Sequence, residues 1–177
     1  MALAQAHRQY LIRDQMIGPF VINFVLNAGI AWLMFGNLGH LSVSGDPGAI
    51  GDLIVTMFAL TFLICVIATP LVRKLYTASK IPALASKDDV PGWIMKLPGN
   101  LLARAVLCAL VVALITAPVI IGFFTATGWS QVSATSYTLG KGLLCGVIAV
   151  LVSPPLALRA MADAAERAVL PLSDQPV

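Results

Sequence analysis

Charge is scarce in this sequence. Asp, Glu, Lys and Arg make up 11% of its 177 residues, less than half the share of about 25% usual in soluble domains. Apolar residues reach 59%, and the mean hydropathy is +0.91. A soluble chain of this size has no core large enough to hide so much apolar surface, whereas lipid covers it at no cost. The net charge of +3 is small and the basic residues are dispersed, which excludes the clustered cationic face of a nucleic-acid binder.

Cysteine and histidine are also few. Cys65, Cys108 and Cys145 all fall in apolar stretches, with no CxxC pair and no metal-ligand spacing. A disulfide scaffold or a redox relay would place cysteine pairs in the loops, so these three are read as small buried apolar residues. His7 and His40 flank the first apolar run on opposite sides and are not a haem pair. HExxH, a GxSxG turn and a phosphate-binding loop are missing. Ser133, Ser136 and Ser153 have no histidine placed as a base, and Met16, Met34, Met57, Met95 and Met161 are scattered. The expectation is a protein that is not an enzyme, with no cofactor, no metal site and no nucleic-acid partner.

What the chain does have is four long apolar runs, at about 17–36, 50–72, 102–125 and 137–158. At 1.5 Å per residue, about twenty residues cross a hydrocarbon core of about 30 Å. The first run is too long for a signal-peptide core and carries Asn23 and Asn27, so it is read as a retained span. The predicted fold class is all-α, an integral membrane four-helix bundle made of two helical hairpins in a single membrane domain. A middle loop covers 73–101 and a flexible tail covers 171–177.

Basic residues fix the expected orientation. Arg8 and Arg13 precede the first span, Arg73, Lys74, Lys80, Lys87, Lys96 and Arg104 surround the middle loop, and Arg159 and Arg167 follow the last span. The segments 37–49 and 126–136 have no Lys or Arg. Both termini and the middle loop are therefore expected in the cytoplasm, in a bacterial inner membrane. Trp32 and Trp129 mark the outer ends of two spans, and Trp93 with Ile94, Met95 and Leu97 suggests a short interfacial piece. Pro82, Pro91 and Pro98 argue against a long helix there.

The two halves show an approximate repeat. Ala68-Thr69-Pro70-Leu71 closes the second span as Ser153-Pro154-Pro155-Leu156 closes the fourth, and aligning Pro70 with Pro155 aligns the hairpins. Both halves start on the same side, as in parallel transporter repeats. Proline following a helix end gives the same appearance without duplication.

Small residues point to packing faces. Ala105, Ala109, Ala113 and Ala117 recur every four residues on the third span, and Gly142 and Gly146 form GxxxG on the fourth, so these two spans are expected to pack on each other. Pro118 should kink the third span. Polar residues point to function. Asn23 and Asn27 share one face of the first span, and Thr61 and Thr116 lie at similar depth, a candidate polar path. Interhelical hydrogen bonds that fix helix order are the other use of such groups. Asp52 and Lys141 lie near the outer membrane face at depths that permit a charge pair, structural or gating.

These residues resemble a pattern in small bacterial inner-membrane proteins with two helical hairpins, uncharacterised and loosely labelled permeases. The similar elements are Asn23 to Trp32, Asp52 with Thr56, Thr69-Pro70-Leu71-Val72-Arg73, Lys141-Gly142 and Ser153-Pro154. The resemblance covers most of the chain and implies the topology but no substrate. Two functions stand side by side: a permease or channel-like protein for a small solute acting as an oligomer, and a non-enzymatic accessory or assembly subunit of a larger membrane complex. Membrane lipid is a partner in either case, with a homo-oligomer or a complex around it.

Overall fold

A computed structural model describes residues 5–45, 48–81, 84 and 90–169. The 171–177 tail and most of 82–89 in the middle loop lie outside the described residues. The chain runs through α1 (Gln5–Ile12), one π-helical turn (Arg13–Ile17), α2 (Gly18–Phe35), a 3₁₀ turn (Gly36–Leu38), β1 (His40–Ser42), α3 (Ala49–Thr77), a short α4 (Gly92–Met95), α5 (Leu101–Thr127), β2 (Gln131–Ser133) and α6 (Ala134–Val169). Four segments, Gln9–Leu38, Ala49–Thr77, Leu101–Thr127 and Ala134–Arg167, are long and apolar enough to cross a membrane. The molecule is a small multi-pass membrane protein.

Local chemistry explains most element boundaries. Pro19 has no amide hydrogen and its ring crowds the carbonyl four residues back. The chain widens just before it, where the Gly18 N–H reaches five residues back to the Arg13 carbonyl. The Asn100 side chain caps α5, accepting from the amides of Leu102 at 2.9 Å and Ala103 at 3.1 Å. Gly128 closes α5 with φ of 65°, a left-handed conformation that costs glycine nothing. Pro70, Pro154 and Pro155 do not end their helices as the sequence suggested. They sit inside α3 and α6, which continue to Thr77 and Val169, because packed neighbours hold a helix together across a missing hydrogen bond.

The strands set the polarity of the bundle. β1 and β2 pair antiparallel, with His40 opposite Ser133, Leu41 opposite Val132 and Ser42 opposite Gln131. The ladder is extended by Val43 N–H to Ser130 O at 3.0 Å and Ala134 N–H to Gly39 O at 2.9 Å. Since β1 joins α2 to α3 and β2 joins α5 to α6, this "strand end" gathers one terminus of every long helix.

The packing order corrects the two-hairpin expectation. α2 packs on α6, α6 on α3, and α3 on α5, whereas the two helices of each expected hairpin, α2 with α3 and α5 with α6, are not principal packing partners. The small residues show why. A Cβ at Gly142 would lie 2.9 Å from the Ala28 Cβ and 3.0 Å from the Phe24 carbonyl oxygen, and one at Gly146 would lie 2.8 Å from the Phe20 ring. The GxxxG of α6 therefore admits α2, not α5. Ala105 and Ala109 are fully buried, Ala105 in a cluster with Cys65 and Leu156, while Ala113 and Ala117 are half-buried. The alanine stripe serves the contact with α3. The expected α5–α6 face is not formed, because α3 already occupies the space beside α6.

This order has a two-fold character. Each half is helix, strand, helix. The first helix of each half packs on the second helix of the other, and the second helices α3 and α6 lie side by side in the same direction. The register that aligns Pro70 with Pro155, a shift of 85, also aligns Asp52 with Tyr137.

A second core fills the opposite end. There the stretch of α6 around Leu158 and Met161 is buried with Tyr10, Leu11, Val72, Val90 and Ile94. The expected interfacial piece is α4, which buries Ile94 and leaves Trp93 exposed.

Candidate functional site

Two polar clusters lie where α3 and α6 meet, one at each end of the pair. At the strand end, Asp52 stands in the first turn of α3, where the helix dipole favours an anion. Tyr137 and Lys141 lie four residues apart on one face of α6, and both donate to the same Asp52 oxygen, Oδ2. The lysine Nζ is 2.5 Å away. Lys141 is 3% exposed and the Asp52 side chain 18%. Phe35 of α2 meets the Tyr137 ring edge-on at 5.6 Å, so three helices converge here. Thr138, also buried, has a hydroxyl with no partner among the described residues.

Beside this triad lies a cleft of about 430 Å³. Val119, Ile120, Phe123 and Phe124 of α5 form one wall, Ser136, Tyr137, Gly140, Lys141 and Leu144 of α6 form the other, and Leu53, Trp129 and Val132 complete it. The cleft exists because α5 leans chiefly on α3, which leaves a gap between α5 and α6 at the strand end. Its lining is nearly all apolar, with Ser136, Tyr137 and Lys141 as its polar residues. That is the composition of a site for a molecule with an apolar body and one polar group.

At the opposite end, Asp163 of α6 receives three arginines from three helices. Arg73 of α3 and Arg104 of α5 both donate to Oδ2, the latter at 3.0 Å, and Arg159 of α6 donates to Oδ1. Arg159 Nε also reaches the Leu97 carbonyl at 3.4 Å. The Arg104 side chain is fully buried and those of Arg159 and Asp163 nearly so. Nε and Nη2 of Arg104, and Nε of Arg73, are buried without a partner among the described residues.

The candidate path residues do not come together. Asn23 Nδ2 donates to the Pro19 carbonyl at 2.8 Å and Asn27 Nδ2 to the Asn23 carbonyl at 3.0 Å, each on its own helix. Thr116 donates to Val112 O at 2.8 Å, again within its helix. α2 and α5 lie on opposite flanks of the α6–α3 pair, which separates Asn23 and Asn27 from Thr116. Thr61 is fully buried in α3 with its hydroxyl unpartnered. Asp52 and Lys141, by contrast, are in contact. Cys65, Cys108 and Cys145 are free thiols. Among the described residues no group of His, Cys, Asp and Glu is arranged to hold a metal ion.

Sequence reasoning missed Tyr137 and the Asp163 cluster. The repeat register carried a signal for Tyr137, since it occupies the position equivalent to Asp52. For the cluster, the signal was the four-residue spacing of Arg159 and Asp163 beyond an apolar span. No protein-family model matches the chain, and no curated protein or solved structure matches it either.

Proposed function

We propose that this protein is a small permease of a bacterial inner membrane, acting without catalysis on an amphipathic solute, with the strand-end cleft as its binding site. The observation that carries the reading is the buried Asp52–Lys141–Tyr137 triad on the wall of an apolar cleft. A buried ion pair is a poor way to gain stability, because desolvation offsets the attraction, and ionisable groups at membrane depth mark substrate sites by default. Lys141 has three donors and gives one to Asp52, so it can also hold the polar head of a solute whose body fills the cleft. The distribution of Lys and Arg supports a topology with the strand end outside and both termini inside. A row of four helices encloses no polar route, so transfer would use an interface between copies.

Trp129 lines the cleft and reports on it. With Trp32→Phe and Trp93→Phe in place, a brominated fatty acid should quench Trp129 saturably. Gly140→Leu fills the cleft without touching the triad and should weaken this at least tenfold, as should Lys141→Met. Equal quenching in all three proteins would sink the cleft reading.

A second reading, a non-enzymatic accessory subunit, is favoured by one observation: Asn23, Asn27 and Thr116 bond their own helices and line no route. Native mass spectrometry of protein extracted gently from its membrane separates the two. A single-component oligomer supports the permease, and stoichiometric foreign subunits support the accessory role.

A further inference from the structure

We propose that the arginine cluster at the end opposite the strands is a binding site for a phosphoryl group. Arg73, Arg104 and Arg159 surround one carboxylate, Asp163, so the described cluster carries three positive charges and one negative. A net charge of this size is not stable in a buried site without a further anion. The donors identify where that anion goes. Arg104 is fully buried, yet two of its nitrogens have no partner among the described residues, and Arg73 Nε has none there either. Unmade hydrogen bonds on buried charged groups are costly.

The chemistry of the missing group follows from these donors. Guanidinium groups present paired N–H donors that match phosphate oxygens. A phosphoryl group supplies several acceptor oxygens at once and enough charge to balance the excess. Asp163 already occupies one side of the three arginines, so the added anion takes the faces carrying Arg104 Nε and Nη2 and Arg73 Nε. The Arg73 side chain, 18% exposed, marks the approach. Two sources carry this chemistry: an anionic phospholipid headgroup or a free phosphate compound from the aqueous side. Asp88 and Asp89 lie outside the described residues.

The test follows thermal unfolding of the full chain. Inorganic phosphate is titrated against the protein in zwitterionic detergent, with chloride at matched ionic strength as control. In parallel, the midpoint is measured in nanodiscs of phosphatidylcholine with and without phosphatidylglycerol. A saturable rise with phosphate supports a free phosphate compound, and a rise with phosphatidylglycerol alone supports a headgroup. In either arm Arg104→Met should weaken the effect at least tenfold, Arg104→Lys should restore part of it, and Lys96→Gln should leave it unchanged. Arg73→Gln, at the more exposed position, gives the same reading if Arg104→Met does not fold. The proposal is overturned if neither probe acts beyond chloride. It is equally overturned if Lys96→Gln weakens the effect as much as the arginine variants.

Discussion

Asp163→Asn removes the one carboxylate on which Arg73, Arg104 and Arg159 converge, while keeping the shape of the side chain. The magnitude follows from burial. Each arginine–aspartate pair at about 4 Å is worth about 4 kcal/mol of gross attraction at an effective dielectric of about 20. Mutual repulsion of the arginines and desolvation consume most of that, so the intact cluster adds little net stability. Removing its anion is another matter. The guanidiniums stay buried, Arg104 completely so, and breaking a buried ion pair from one side costs about 3–5 kcal/mol. For a chain of this length that lowers the unfolding midpoint by about 6–20 °C. A thiol-reactive dye provides the assay, because Cys65 and Cys145 are fully buried and react only on unfolding. The Arg13–Asp14 pair supplies the internal comparison. Its side chains are 74% and 42% exposed, and Asp14→Asn should cost about 0–1 kcal/mol. Adding Arg104→Met to Asp163→Asn should recover part of the loss, since it removes an uncompensated charge, and the double-mutant cycle measures the coupling. If Asp163→Asn behaves like Asp14→Asn, Asp163 is not the counter-ion of the cluster and the energetic reasoning fails.

Two further outcomes test the helix order. Gly142→Ala should destabilise by about 1–3 kcal/mol, because the new methyl meets the Phe24 backbone carbonyl. Gly146→Ala should cost less, since the Phe20 ring can turn away and the Phe20 carbonyl oxygen, at 3.2 Å, is less crowded than that of Phe24 at 3.0 Å, and Gly140→Ala, with nothing within 4 Å, should be neutral or slightly stabilising; thermal midpoints rank the three. Ser42→Cys with Gln131→Cys, directly opposed across β1 and β2, should form a disulfide under oxidation, seen as a mobility shift reversed by reductant. Ser42→Cys with Ser133→Cys should crosslink less, and equal yields would contradict the register.

The elements of this fold were legible in the sequence, and their neighbours were not. Hydropathy and length locate the four spans because lipid imposes both. The contact of Asp52 with Lys141 corresponds to simple depth counting along two helices. Neighbour choice depends instead on which small residue faces which bulky one. The sequence shows Gly142 and Gly146 as a face, but nothing local says that Phe20, Phe24 and Ala28 fit it better than the alanine stripe of α5. Arg73, Arg104 and Arg159 were read as positive charges that set orientation. That is a statement about which side they occupy, and it is silent on whether their heads meet water or a carboxylate. Only the continuation of α6 past Pro154 and Pro155 brings Asp163 among them. Proline at a span end was taken as a stop, and packing from α1, α3 and α4 overrides it.

The parallel α3–α6 pair at the centre explains why both polar clusters stand where they do. Two helices side by side in the same direction place like dipole ends together, a modest repulsion that falls within the first and last turns. Charge crosses between the helices at both ends, and in opposite senses: α3 supplies the acid to α6 at the strand end through Asp52, and α6 supplies the acid to α3 at the other end through Asp163. The anion of the first link lies in the opening turn of α3, where its dipole end is positive. The pair is thus pinned at both ends, while α2 packs chiefly on α6 and α5 chiefly on α3. Any change in cleft volume is cheapest in a flank. α5 is the flank that forms the cleft wall, and Pro118 interrupts its hydrogen bonding directly before Val119 and Ile120, where that wall begins. The bend expected from Pro118 therefore lies where the α5 wall of the cleft begins, at the point where that flank can give most easily.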